Sequence, residues 1–137
     1  MPASPSADAT RRERPLVLIV EDQSELRHLY AQQLALSGFD VIEAANGADA
    51  IARTTTQAPD VVLMDLSLPV VDGWEATRRL KSDERTAHIP VVALTAHDGS
   101  GELQRATRAG CDWFVPKPCP PDALIAEVRR VLAGSRS

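Results

Sequence analysis

Short, continuous apolar runs rich in β-branched residues recur along this chain, each followed by a stretch of helical period, and this alternation constrains the fold more than any other feature. LVLIV (residues 16–20), VVLM (61–64) and VVAL (91–94) are apolar at successive positions, as expected of strands buried on both faces of a parallel sheet. FDVIEA (39–44) alternates more, and WFV (113–115) is short and runs into Pro116; both traits are tolerated at a sheet edge, where these two strands are expected. Between the strands, residues 24–37 place Leu26, Leu29, Tyr30, Gln33 and Leu34 near one face and stop at Gly38, suited to a left-handed cap. Further helices are expected at 47–55, 74–81, 101–109 and 122–133, with Pro59, Pro69 and Pro90 confined to connections. Because parallel strands joined through a helix cross over right-handed in nearly all cases, five such units imply an α/β doubly wound (βα)5 sheet covered on both faces.

The length of 137 residues suits one domain. With 44% hydrophobic and 25% charged residues the chain has the composition of an ordinary globular protein. Its net charge of −4 offers no general attraction for nucleic acid or an anionic membrane. Neither is an expected direct partner. Cys111 and Cys119 lack C-x-x-C spacing and a Cys/His cluster, so no disulfide framework or zinc site is indicated and a reducing cytoplasm fits best. Arg11-Arg12 followed by LVLIV imitates a signal peptide, but that run is shorter than the roughly 7 residues a signal needs and no stretch approaches the ~18 needed to cross a membrane. Residues 1–14 read as a disordered leader, 15–134 as the domain and 135–137 as a short tail.

Four of the apolar runs are followed directly, or within two residues, by a polar group: Glu21-Asp22, Asp65, Thr95 and Lys117. In an open parallel sheet all strand carboxyl ends lie along one edge, so these five residues converge there. Each has a simpler explanation alone. Asp22 could cap the first helix, with Glu25 completing a capping box; Asp65 and Thr95 could be turn residues and Lys117 a solvated cation. Chance is harder to credit for the set. Three carboxylates in one cleft repel unless a cation sits among them, and hard oxygen donors suit Mg²⁺. A divalent ion beside Asp65 with Lys117 opposite is also what phosphoryl transfer onto a carboxylate requires.

Glu21-Asp22, Asp65 within LMDLSLPVVDG (63–73), Thr95-Ala96 and Lys117-Pro118 together resemble the receiver domain of bacterial two-component response regulators, over residues 15–134. The resemblance implies a flavodoxin-like receiver fold with strand order 2-1-3-4-5. It implies that Asp65 takes a phosphoryl group from a histidine kinase or a histidine phosphotransfer protein. Glu21, Asp22, Asp65 and the backbone carbonyl of Ser67 would hold Mg²⁺, with Mn²⁺ an alternative. Lys117 would bind the phosphoryl group, and the Lys117-Pro118 bond is cis in similar proteins. Thr95 resembles the switching hydroxyl, and Phe114 the aromatic that turns inward behind it. Ser67 and His97, two residues beyond Asp65 and Thr95, are expected to tune the phosphoryl lifetime. A downstream protein would bind the face formed by residues 101–133.

The chain departs from the family pattern in two places. Phe114 stands where a tyrosine is common, and residues 116–121 are unusually rich in proline. Cys119 is expected to pack rather than to sense redox state. A stand-alone, chemotaxis-regulator-like receiver is the expected role, with self-catalysed phosphotransfer and slow autodephosphorylation but no enzymatic turnover. An unphosphorylated scaffold of the same fold is the alternative. An aspartyl-phosphate phosphatase of the haloacid dehalogenase kind would look for a second Asp where Ser67 stands. A flavodoxin-like cofactor carrier would need a phosphate loop where the acidic EDQSELR (21–27) lies.

Overall fold

The computed structural model describes residues 13–66, 72–96 and 101–134. Strands β1 (Leu16–Val20), β2 (Asp40–Ala44), β3 (Val61–Asp65), β4 (Val91–Ala96) and β5 (Trp113–Lys117) alternate with helices α1 (Ser24–Leu36), α2 (Gly47–Gln57), α3 (Gly73–Ser82), α4 (Glu102–Ala109) and α5 (Pro121–Gly134). All strand pairs are parallel, in the order β2-β1-β3-β4-β5. The (βα)5 doubly wound architecture is thus as expected, and the two weaker runs take the two edges.

Alternation along each strand divides the core into two layers. Val17, Ile19, Leu63, Val92 and Leu94 face α1 and α5, packing on Tyr30, Leu34, Leu124 and Val128. Leu18, Val20, Val62, Met64 and Ala93 face α2, α3 and α4, packing on Ala50, Ala76, Leu80 and Ala106. Each large aliphatic fully buried in this way contributes about 1.5–3 kcal/mol. Trp113 packs against the first layer and donates its indole N–H to Glu127 Oε1 at 3.0 Å. Trp74 packs against the second, with the Arg105 guanidinium 3.6 Å above its ring centroid.

The ends of the elements reflect local chemistry. After α1, Gly38 takes φ +103°, a left-handed conformation that residues with a side chain rarely adopt, and no atom outside its own turn lies within 4 Å of where a Cβ would sit. Asn46 and Asp72 cap α2 and α3, each accepting from the amide three residues on at 2.8 Å. At the amino edge of the sheet, Asp60 accepts from the Leu16 amide at 2.7 Å. Arg14 reaches Asp40 Oδ1 at 3.1 Å and the carbonyls of Ala35 and Phe39 at 3.0 Å.

Three strands run further than their apolar residues. The ladder continues through Asp65 opposite Leu94, Thr95 opposite Pro116 and Ala96 opposite Lys117. Backbone pairing is indifferent to side-chain polarity, so the strand outlasts the pattern that reveals it. Pro116 is accommodated because β5 is an edge strand.

Candidate functional site

Register brings the strand ends level. Val20 lies opposite Met64, and Asp65 opposite Leu94, so Glu21 and Asp22, continuing β1, arrive beside Asp65. The Glu21 amide still donates to Ala44 O of β2 at 3.1 Å. One carboxylate oxygen from each of Glu21, Asp22 and Asp65 lies within 4.8 Å of the other two. Lys117, at the end of β5, reaches past β4 and donates from Nζ to Asp65 Oδ1 at 2.8 Å. Thr95 is buried on the intervening strand. Glu21, Asp22, Asp65 and Lys117 are therefore gathered, with Thr95 on the strand between Asp65 and Lys117. Ser67 and His97 fall outside the described residues. Phe114 is half-buried in the layer that holds Ala106 of α4.

The cluster is electrostatically tense. Glu21 and Asp65 are each only 3% exposed, whereas Asp22 faces solvent. Burial of Glu21 is the main reason its carboxyl is pushed up from 4.5 to about 7; the Gln23 amide that it accepts at 3.0 Å opposes the shift, and the charge on Asp65 adds to it. Between pH 4.5 and 7 the folded chain therefore holds a proton that the unfolded chain has released, so stability falls as pH rises through this window. At 1.36 kcal/mol per unit this amounts to at most about 3 kcal/mol. In metal-free buffer, Glu21→Gln is expected to lose less thermal stability than wild type between pH 5 and pH 7.5, and parallel melting curves would refute this account.

Sequence reasoning missed several supports. Arg27 donates from Nη1 to the Glu21 carbonyl and from Nε to Glu43 Oε1, both at 2.9 Å, and so holds the backbone of the acidic pair. Its spacing from Glu21 carries no signal, because the contact forms across the β1–α1 turn. The capping box suggested for Asp22 and Glu25 is not formed. Gln23 is the N-cap of α1 and makes no side-chain cap bond, while its amide goes to Glu21. The Asp72 cap of α3 was missed as well, although an Asp three residues before Glu75 is a local signal that could have found it. Lys117-Pro118 is cis, as the resemblance implies. Cys119 packs in the core and burial pushes its thiol up, which suits an inert packing residue.

The donor set fits a divalent cation. Three carboxylates supply only hard oxygens, two of them are withdrawn from water, and one oxygen of each lies within 4.8 Å of the others.

The carboxyl edge of this five-stranded doubly wound sheet thus joins an acidic cluster to a lysine. The profile of the response regulator receiver domain matches residues 17–129. The chain belongs to that family, the receiver domains of two-component signalling. It is 35% identical over 116 residues to the polar-differentiation response regulator DivK of Brucella anthropi, covering 85% of this chain and 94% of that protein. The chemotaxis response regulator CheY4 of Vibrio cholerae superposes with a TM-score of 0.79 at 27% identity, covering 86% of this chain and 98% of that one. The receiver domain of the sensor histidine kinase PA1611 from Pseudomonas aeruginosa, solved with a magnesium ion coordinated in its active site cleft, gives a TM-score of 0.76 at 32% identity, covering 87% of this chain and 94% of that one. Among the described residues no helix is long and apolar enough to cross a membrane.

Proposed function

We propose that this chain is a phosphoacceptor: Asp65 takes a phosphoryl group from a phosphohistidine on a kinase or phosphotransfer protein, and the fold passes the change to a protein-binding face. The observation that carries this reading is that one buried aspartate is shared between an acidic cluster and a lysine, with Lys117 Nζ 2.8 Å from Asp65 Oδ1 and Glu21 and Asp22 on the other side.

In the reaction an Asp65 oxygen attacks phosphorus, the phosphorus–nitrogen bond breaks, and the departing imidazole keeps the bond's electron pair. Little covalent work falls to the protein beyond placing charge and donors where negative charge gathers. Lys117 follows the phosphoryl oxygens as a long point charge. Thr95 offers a hydroxyl from the intervening strand. Glu21 and Asp22, with Asp65, would hold Mg²⁺, which when bound neutralises charge between the carboxylates and the incoming phosphoryl group. The aspartyl phosphate adds roughly −1.5 to −2 charge and new acceptors. These favour the state in which Thr95 is drawn toward them and Phe114, on the α4 side of β5, follows. The surface that changes is α4, β5 and α5.

Incubation with acetyl phosphate tests this by intact mass. The expected result is one phosphoryl group per chain with Mg²⁺ present and none in its absence. No modification under either condition would leave the fold as an unphosphorylated interaction scaffold.

A further inference from the structure

The segment that carries Lys117 is poorly equipped to hold itself in place. Residues 116–121 read Pro-Lys-Pro-Cys-Pro-Pro, so only Lys117 and Cys119 have a backbone N–H. Lys117 belongs to β5. Beyond it, Cys119 supplies the last amide donor before Asp122, and any further backbone hydrogen bond must use the segment's carbonyls as acceptors, as Pro120 O does for the Leu124 amide at 3.0 Å.

One such anchor comes from α1. Tyr30 is buried in the layer between the sheet, α1 and α5, and its hydroxyl donates to the Cys119 carbonyl at 2.7 Å. A carbonyl only accepts, so the direction of this bond is fixed. Cys119 is buried in the same layer, packing beside the ring that holds its carbonyl. Burial raises the Tyr30 hydroxyl above its ordinary value, and the charges of Cys119, Glu21 and Asp65 add to this, so it stays a donor and stands within electrostatic reach of the acidic cluster.

Resting on the phosphoacceptor reading, we infer that Tyr30 is a positioning residue: through the Cys119 carbonyl it fixes the segment after β5 and thereby the placement of Lys117 on Asp65. It touches neither phosphoryl group nor metal. Its contribution is orientation, where a displacement well under the length of a bond to the phosphoryl oxygen slows transfer.

Tyr30→Phe removes the hydroxyl and keeps the ring. With acetyl phosphate and Mg²⁺ it is expected to label about fivefold to tenfold more slowly than wild type, with Mg²⁺ affinity by titration calorimetry within twofold of wild type and a cooperative melt retained. The second arm repeats the substitution in a Lys117→Ala chain, at a donor concentration raised until that chain labels. There Tyr30→Phe should cause no further slowing, because the group it positions is gone. Labelling of Tyr30→Phe at the wild-type rate, equal slowing in both backgrounds, or a parallel loss of Mg²⁺ affinity would each overturn the positioning role while leaving Asp65 as acceptor. Failure of the wild-type chain to label at all would instead remove the phosphoacceptor reading beneath it.

Discussion

Asp65→Asn is expected to stay at its unmodified mass under acetyl phosphate and Mg²⁺ conditions that saturate the wild-type chain. The amide oxygen is neutral and a far weaker nucleophile than a carboxylate, and no other carboxylate occupies the same place. Glu21 follows β1, on the opposite side of β3 from the strand that carries Lys117, and Asp22 is solvent-facing. Loss should therefore exceed the roughly 10²–10³ that removing a single stabilising donor costs a transfer reaction. Asn has nearly the volume of Asp, so β3 and its core neighbours keep their packing, and a cooperative melt checks that the variant folds. Mass that still increases by one phosphoryl group in the variant would reassign the acceptor.

The largest effect on stability is expected at Gly73, the first residue of α3. A Cβ there would sit 2.5 Å from the Asp65 carbonyl oxygen and 2.7 Å from Leu66 Cα. Both are backbone atoms at the end of a central strand, and neither can swing aside as a side-chain tip would. Gly73→Ala should cost about 3 kcal/mol, at the upper end for overpacking of a core, and lower the melting temperature by about 10 °C for a domain of this size. Gly134→Ala is the matched control. Nothing lies within 4 Å of a Cβ at that last residue of α5, so the change should be neutral or slightly stabilising. A Gly73→Ala chain as stable as wild type would show that α3 does not start hard against the strand that carries Asp65.

These two sites differ in how far they could be foreseen. Asp65 is legible because it stands at the end of VVLM, and the rule that parallel strands share a carboxyl edge places it among the other strand ends without any coordinates. Gly73 is visible only as the glycine of the Asp-Gly pair before Trp74. Its close approach arises from where α3 docks on β3, which no spacing expresses. The same distinction separates the caps. Asp72 and Asn46 act on amides three residues away, a local geometry that residue type alone suggests. Asp22 looked like a cap by the same local logic, yet the Gln23 amide is taken by Glu21, whose carboxylate is withdrawn from water beside Asp65.

Taken alone, the residues determined the order of strands and helices, which strands lie at the edges, and which five polar groups share the carboxyl edge. Those properties follow from hydrophobic period and chain connectivity, and each is settled within a few neighbours. The meeting of Lys117 with Asp65 was already implied by their places at the strand ends. Only the folded structure decided that Tyr30 holds Cys119 across 89 residues, that Arg27 holds the Glu21 carbonyl, and that burial pushes the Glu21 carboxyl up to about 7. Such facts depend on the register of strands and the docking of helices, which are set by the packing of the entire core and belong to no single segment.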